Sequence, residues 1–327
     1  MAEIAHRTLE ANGIRMHLAE AGDGPLVLLC HGFPESWYSW RWQIGALAEA
    51  GFHAVAPDMR GYGQTDRPEE IEKYTLLHLV GDMVGVLDAV GADKAAIVGH
   101  DWGAPVAWCA ALLRPDRFRA VAGLSVPFLR RGFGFRTSQM PQTEKAQFYQ
   151  LYFQSPGVAE AELERNPRET IRRLLYSGSG DVPRGTVAAA GDRAPGMVPR
   201  NGGFLTRSID PSVLPSWLTE ADVDFYADEF ARTGFRGALN WYRNIDRNWE
   251  LLAPFDRLRI TVPALYVAGD RDMVVQFPRA ANVIANLKTF VPELRQTLIL
   301  PDCGHWTQQE RPAEVSAAII GFLRELG

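Results

Sequence analysis

The chain has 327 residues, 46% hydrophobic and 22% charged, with a formal net charge of -5 and a pI near 5.9. That balance describes a globular protein long enough to bury a large core, and it leaves no basic footprint for nucleic acid or an anionic membrane. The three cysteines, Cys30, Cys109 and Cys303, are too few and odd in number for a disulfide framework, so a reducing, cytoplasmic setting is expected and a metal site is not.

The start, "MAEIAHRTLEANG", has no basic segment followed by an apolar run, so no signal peptide is read. No apolar run reaches the ~20 residues of a membrane helix. "LVLLC", Leu26 to Cys30, reads as a buried strand entering an "HGFP" turn. A helix is predicted from about Ser39 to Ala50, a strand from His53 to Asp58, and an amphipathic helix from Leu76 to Val90. The next strand spans Lys94 to His100, the next helix Ala104 to Leu113, and a further strand Phe118 to Val126. Strands alternating with helices imply right-handed crossovers and a mostly parallel sheet.

After Pro127 the alternation stops. Residues 128–248 read as helices and loops, with helical patterning in Glu144 to Phe153 and Ala221 to Thr233. Seven glycines and three prolines between Gly178 and Gly203 predict an irregular, mobile loop. The β/α pattern resumes with a strand at Val262 to Asp270 and a helix from about Arg279 to Leu287. "RQTLILPDCGHW" supplies a last strand and turn, and Pro312 to Leu326 a closing helix. The expected organisation is therefore an α/β core of residues 1–127 and 249–327, split by an inserted helical cap, 128–248.

Sites in such sheets form at the carboxyl ends of strands. There, "VGHDWGAP" places Asp101 between Gly99 and Gly103, the nucleophile-elbow frame G-x-S-x-G with Asp in place of Ser. A carboxylate is expensive at such a junction unless solvated, paired or used. The bland alternative is a cap on the helix from Ala104. Two later strand ends weigh against it: "AGDRD" offers Asp270 and Asp272, and "PDCGHW" offers His305. Nucleophile, acid, then His is the chain order of an α/β-hydrolase triad. Asp272 is the expected partner of His305, because Asp270 sits tight against its strand. An ionised carboxylate can displace at an sp³ carbon and leave an alkyl ester on the enzyme. His305 would then activate water against that ester, and Asp272 would orient the imidazole. The backbone N–H groups of Phe33 and Trp102 are the natural oxyanion donors. An epoxide oxygen would also need an acid. Tyr149, Tyr152, Tyr176, Tyr226 and Tyr242 all offer phenols, and chemistry alone does not choose among them.

The blocks "HGFPESWYSWRWQ", "PDMRGYGQTDRP", "VGHDWGAPVAW", "YQLYFQSPGVAEAELE", "GFRGALNWYRN" and "CGHWTQQERP" cover almost the whole chain. Through them it resembles the epoxide hydrolases of the α/β-hydrolase fold, most of all the C-terminal hydrolase domain of mammalian soluble epoxide hydrolase. The resemblance implies an α/β-hydrolase core with an inserted cap. It also implies hydrolysis of epoxides to vicinal diols, with no cofactor. It puts the nucleophile on Asp101, the orienting acid on Asp272 and the base on His305. The two lid tyrosines fall on Tyr149 and Tyr242, the oxyanion donors on Phe33 and Trp102, and these four residues are the expected substrate contacts. The additional phosphatase domain of the mammalian enzyme is expected to be absent. The expected partners are a small epoxide and water, with a monomer or homodimer both open. A haloalkane dehalogenase with the same Asp–His–Asp set is the alternative enzyme, and it has no need of the tyrosine pair. A non-catalytic ligand receptor on this fold is the third possibility. The block Ser177 to Gly203 departs from the family pattern, so the resemblance does not extend to substrate preference.

Overall fold

The computed structural model describes residues 3–131, 136–186, 191–277 and 279–326. Its strands are β1 (Ala5–Ala11), β2 (Ile14–Ala21), β3 (Leu26–Cys30), β4 (His53–Pro57), β5 (Ala95–His100), β6 (Phe118–Leu124), β7 (Ala146–Phe148), β8 (Met197–Pro199), β9 (Ala264–Gly269) and β10 (Leu294–Leu300). Eight of them form one sheet in the order β1-β2-β4-β3-β5-β6-β9-β10. The β1–β2 and β2–β4 pairings are antiparallel, and the rest are parallel. The fold is thus the expected α/β-hydrolase class.

The central strands β3, β5 and β9 are buried along their whole length, which explains their unbroken apolar runs. Successive side chains of a strand point to opposite faces. Leu26, Leu28 and Cys30 of β3 accordingly join one hydrophobic core, and Val27 and Leu29 the other. The helix predicted at Leu76–Val90 is found there. The Thr75 hydroxyl caps its start, and Gly91, at φ 75°, ends it.

Two expectations need correction, and one element is unexpected. The β1–β2 hairpin is absent from the predicted elements, although Asn12-Gly13, both at positive φ, is a strong turn signal. Glu144 to Phe153 is not one helix. Ala146–Phe148 is β7, and only Tyr149–Tyr152 is helical. The strand wins because β7 pairs antiparallel with β8, an arrangement local helical patterning cannot anticipate. The glycine-rich stretch therefore contains a strand and is not wholly irregular. The expected loop also includes residues 187–190, which lie outside the described residues.

The segment between β6 and β9 carries helices Val158–Leu163, Pro167–Ser177, Glu220–Thr233, Arg236–Arg243 and Ile245–Leu251. Its buried Phe153, Leu163, Tyr226 and Trp241 belong to the same core as Leu28 and Trp102. Polar contacts pin it down as well. Arg41 pairs with Asp222 at 3.1 Å, Tyr38 donates to Asp222 at 2.9 Å, and Trp241 Nε1 donates to the Arg60 carbonyl at 3.0 Å. Among the described residues no helix is long and apolar enough to cross a membrane.

Candidate active site

Asp101 directly follows β5 and has φ 49°, a backbone state that costs a residue with a side chain about 1 kcal/mol. The crowding that forces this turn is measurable. A Cβ on Gly99 would lie 2.0 Å from the Gly103 carbonyl oxygen, and one on Gly103 2.0 Å from the Cys30 carbonyl oxygen. The Asp101 side chain does not cap the following helix, Gly103–Leu113, which has no side-chain cap. It turns to the "HGFP" loop instead, where the Phe33 N–H donates to Oδ1 at 2.8 Å. That close approach requires glycine at position 32, since a Cβ there would lie 2.4 Å from Asp101 Oδ1.

The other oxygen, Oδ2, faces His305 Nε2 at 3.4 Å. On the far side of the ring, Nδ1 lies 3.0 Å from Asp272 Oδ1 and 3.1 Å from the Ser125 hydroxyl. Asp272 is fully buried and also accepts from the Val274 N–H at 2.9 Å. Asp270, by contrast, is exposed. Burial alone would lower the His305 pKa and raise that of Asp272. The Asp272 charge, the hydrogen bonds to Asp101 and Asp272, and the Asp101 charge outweigh it and hold His305 well above the usual imidazole range. Asp272 is held below the usual carboxylate range by the His305 charge and by hydrogen bonds from His305, Ser125 and Val274.

Tyr149 and Tyr242 both come to this side of the molecule, and their rings meet edge-on with centroids 5.9 Å apart. Tyr242 also packs edge-on against Trp102 at 5.1 Å and Phe33 at 5.6 Å. Burial, then the Asp101 charge, raises the pKa of both phenols. Each is therefore a protonated donor at neutral pH. Gln150 donates to the Tyr149 hydroxyl at 3.0 Å. Of the other tyrosines, Tyr152 donates to Glu162 and Tyr226 to Gln309, so both are committed elsewhere.

The sequence reading does not include Glu35, His100 or Ser125. Buried Glu35 accepts from the Gly32 N–H at 3.0 Å and from Gln308 and Gln309. It also lies 2.8 Å from His100 Nδ1, and His100 Nε2 reaches the His305 carbonyl at 2.7 Å. This network ties the Phe33 turn to the His305 loop. The available signal is polar residues at the ends of apolar runs, in "HGFPE" and "AAIVGH". The glycine-rich stretch contributes too, because the Gly178 carbonyl accepts the His305 N–H at 2.8 Å.

An acid on a strand–turn–helix elbow, a second acid after β9 and a histidine after β10 define an α/β-hydrolase fold. The alpha/beta hydrolase fold family matches residues 25–174. Epoxide hydrolase A of Mycobacterium tuberculosis is 47% identical, over 100% of this chain and 99% of its own. The bifunctional epoxide hydrolase 2 of Sus scrofa is 41% identical over 95% of this chain and 53% of its own. The crystal structure of epoxide hydrolase A from Mycobacterium thermoresistibile superposes with a TM-score of 0.89 at 48% identity, covering 98% of each chain. An epoxide hydrolase from an endophytic Streptomyces gives 0.93 at 43% identity, covering 99% of this chain and 96% of that one. The chain belongs to the epoxide hydrolases of the α/β-hydrolase fold.

Proposed function

We propose that this protein hydrolyses an epoxide to a vicinal diol in two half-reactions, with Asp101 as nucleophile. Residues 128–248 form the cap and 1–127 with 249–327 the core. The substrate sits among Phe33, Trp102, Tyr149 and Tyr242, between the elbow and the cap tyrosines. An Asp101 oxygen attacks one epoxide carbon, the C–O bond to that carbon breaks, and the new alkoxide takes a proton from Tyr149 or Tyr242. A hydroxyalkyl ester and a phenolate result. His305 then takes a proton from the water that attacks the ester carbonyl. The N–H groups of Phe33 and Trp102 stabilise the oxyanion. The ester bond breaks, the departing diol oxygen takes the proton held by His305, and the phenolate recovers its proton from the Asp101 carboxyl.

The observation that carries this reading is the geometry around Asp101: His305 Nε2 faces one of its oxygens at 3.4 Å with Asp272 behind the ring, the Phe33 N–H holds the other at 2.8 Å, and Tyr242 packs on Phe33 and Trp102. The Asp101 charge raises the proton affinity of His305, Tyr149 and Tyr242 together. Ester formation removes that charge. Both phenols become stronger acids just as an alkoxide needs a proton, and His305 releases its resting proton to solvent and can act as a base just as the ester needs water. The substrate class is tested with a panel of epoxides and haloalkanes assayed for diol and halide. Diol formation with no halide release is expected. Halide release without diol would replace the reading with dehalogenation.

Three buried free cysteines support a reducing, cytoplasmic location. No cofactor enters the scheme, and small-molecule epoxide and water are its only reactants. The protein acts as a monomer or homodimer.

A further inference from the structure

We propose that Ser125 is a positioning residue for His305: its hydroxyl oxygen shares the Nδ1–H that Asp272 also accepts and so fixes the ring with Nε2 facing Asp101. The proposal rests on the reading of His305 as the base of the second half-reaction. Ser125 follows β6, and Asp272 follows β9, the adjacent strand in the sheet. Two neighbouring strand ends therefore each direct one oxygen to the same nitrogen, at 3.1 and 3.0 Å.

Turn geometry does not account for the serine. Ser125 is fully buried and has φ 68°, where glycine would sit without steric cost. A side chain kept here at that cost, buried and within 3.1 Å of the His305 ring, is consistent with a use for its hydroxyl. The turn is also braced on both sides. The Ser125 N–H donates to the Val267 carbonyl at 2.8 Å, and buried Tyr266 donates its hydroxyl to the Ser125 carbonyl at 2.7 Å. The backbone cannot swing the hydroxyl away from the ring without breaking these bonds. A neutral imidazole carrying its hydrogen on Nδ1 can divide it between two acceptors. When Nε2 takes a proton from water, both oxygens then stabilise the cation.

The other titratable groups that act on or pack against the ring are Asp101 on the elbow, Asp272 after β9 and His100 at the end of β5, its ring 4.9 Å away; in its own segment Glu310 accepts from the flanking Gly304 and Trp306 N–H groups. Removing the Ser125 hydroxyl leaves all of them in place and takes from Asp272 the hydrogen bond that Ser125 donates to it.

The test uses the whole enzyme as Ser125→Gly and Ser125→Ala. Glycine relieves the backbone, and alanine keeps a side chain of similar size. Single-turnover reactions with an aryl epoxide are quenched, and the ester on the enzyme is followed by mass spectrometry across pH. In both variants ester formation should stay within about twofold of wild type. Ester hydrolysis should slow about tenfold, and the midpoint of its acid limb should fall by about one pH unit. An unchanged hydrolysis rate and midpoint in the glycine variant would make Ser125 a space-filler and overturn the proposal. Equal slowing of both steps would overturn it too, as would a midpoint that moves up. The upward shift would mean that the hydroxyl's hydrogen bond to Asp272, not its contact with Nδ1, sets the effect. A wild-type enzyme that forms no ester would bring down the reading of Asp101 and this proposal together. Normal ester formation with unaltered hydrolysis in the variants brings down the proposal alone.

Discussion

Asp101, His305 and the two cap tyrosines are coupled through charge, and each coupling gives a measurable sign. In the resting enzyme the Asp101 and Asp272 carboxylates hold the His305 pKa well above 6.5. On the proposed mechanism ester formation neutralises Asp101, which lowers the His305 pKa in the intermediate. The acid limb of ester hydrolysis should therefore lie at lower pH than the His305 titration in the free enzyme, read by NMR of the ring. Coincident midpoints would mean that Asp101 does not set the His305 pKa. If the two phenols share the donor role as proposed, Tyr149→Phe or Tyr242→Phe alone should slow ring opening about 10- to 100-fold, because the second remains. The double variant should lose about 10³-fold or more, at unchanged stability. Near-wild-type opening in the double variant would remove both phenols from the chemistry. Asp272→Asn should slow ester hydrolysis about 10²–10⁴-fold and ester formation far less, because His305 loses its orienting carboxylate. Rapid-quench measurement of the two phases separates these outcomes.

At the scale of elements, two tight turns set the site: the elbow between β5 and its helix, and the loop after β3. Gly99→Ala drives a Cβ to 2.0 Å from the Gly103 carbonyl. It should destabilise the protein by about 3 kcal/mol in urea unfolding. Gly32→Ala meets a side chain instead, at 2.4 Å from Asp101 Cβ. It should displace the nucleophile and abolish ester formation with a smaller loss of stability. The glycine frame that makes these substitutions costly also makes Asp101 legible in the sequence, because a side chain between two obligatory glycines is conspicuous. His305 and Asp272 are legible through chain order and strand ends. Tyr149 and Tyr242 are not legible from chemistry. Ninety-three positions apart in the chain, they meet only when the cap folds, and resemblance alone separates them from Tyr152 and Tyr226. Glu35, His100 and Ser125 escape for a related reason. Each is a single polar residue at the end of an apolar run, and its partner comes from a distant segment. The β1–β2 hairpin is different, because Asn12-Gly13 announces it locally.

The molecule as a whole joins an α/β core to an inserted cap, and the proposed reaction draws residues from both. The aromatic core carries Phe33 and Trp102 from one part and Phe153 and Tyr242 from the other, while Arg41 and Asp222 form a mostly buried pair across the junction. Arg41→Met should cost about 2 kcal/mol in urea unfolding. This is less than the usual cost of breaking a buried pair, because Tyr38 and Thr219 still donate to Asp222. No loss of stability would mean that the cap is held by apolar packing alone. The central claim, that Asp101 is alkylated by the epoxide and released by water that His305 activates, is tested most directly by the intact mass of His305→Gln after reaction with an epoxide. The account predicts one adduct per chain, equal in mass to the whole epoxide and located on the peptide containing Asp101. An adduct of the alkyl part alone, formed from a haloalkane with halide released, would identify a dehalogenase. Diol formed by this variant with no adduct at any time would contradict the account, because water would then attack the epoxide directly and Asp101 would be only a base.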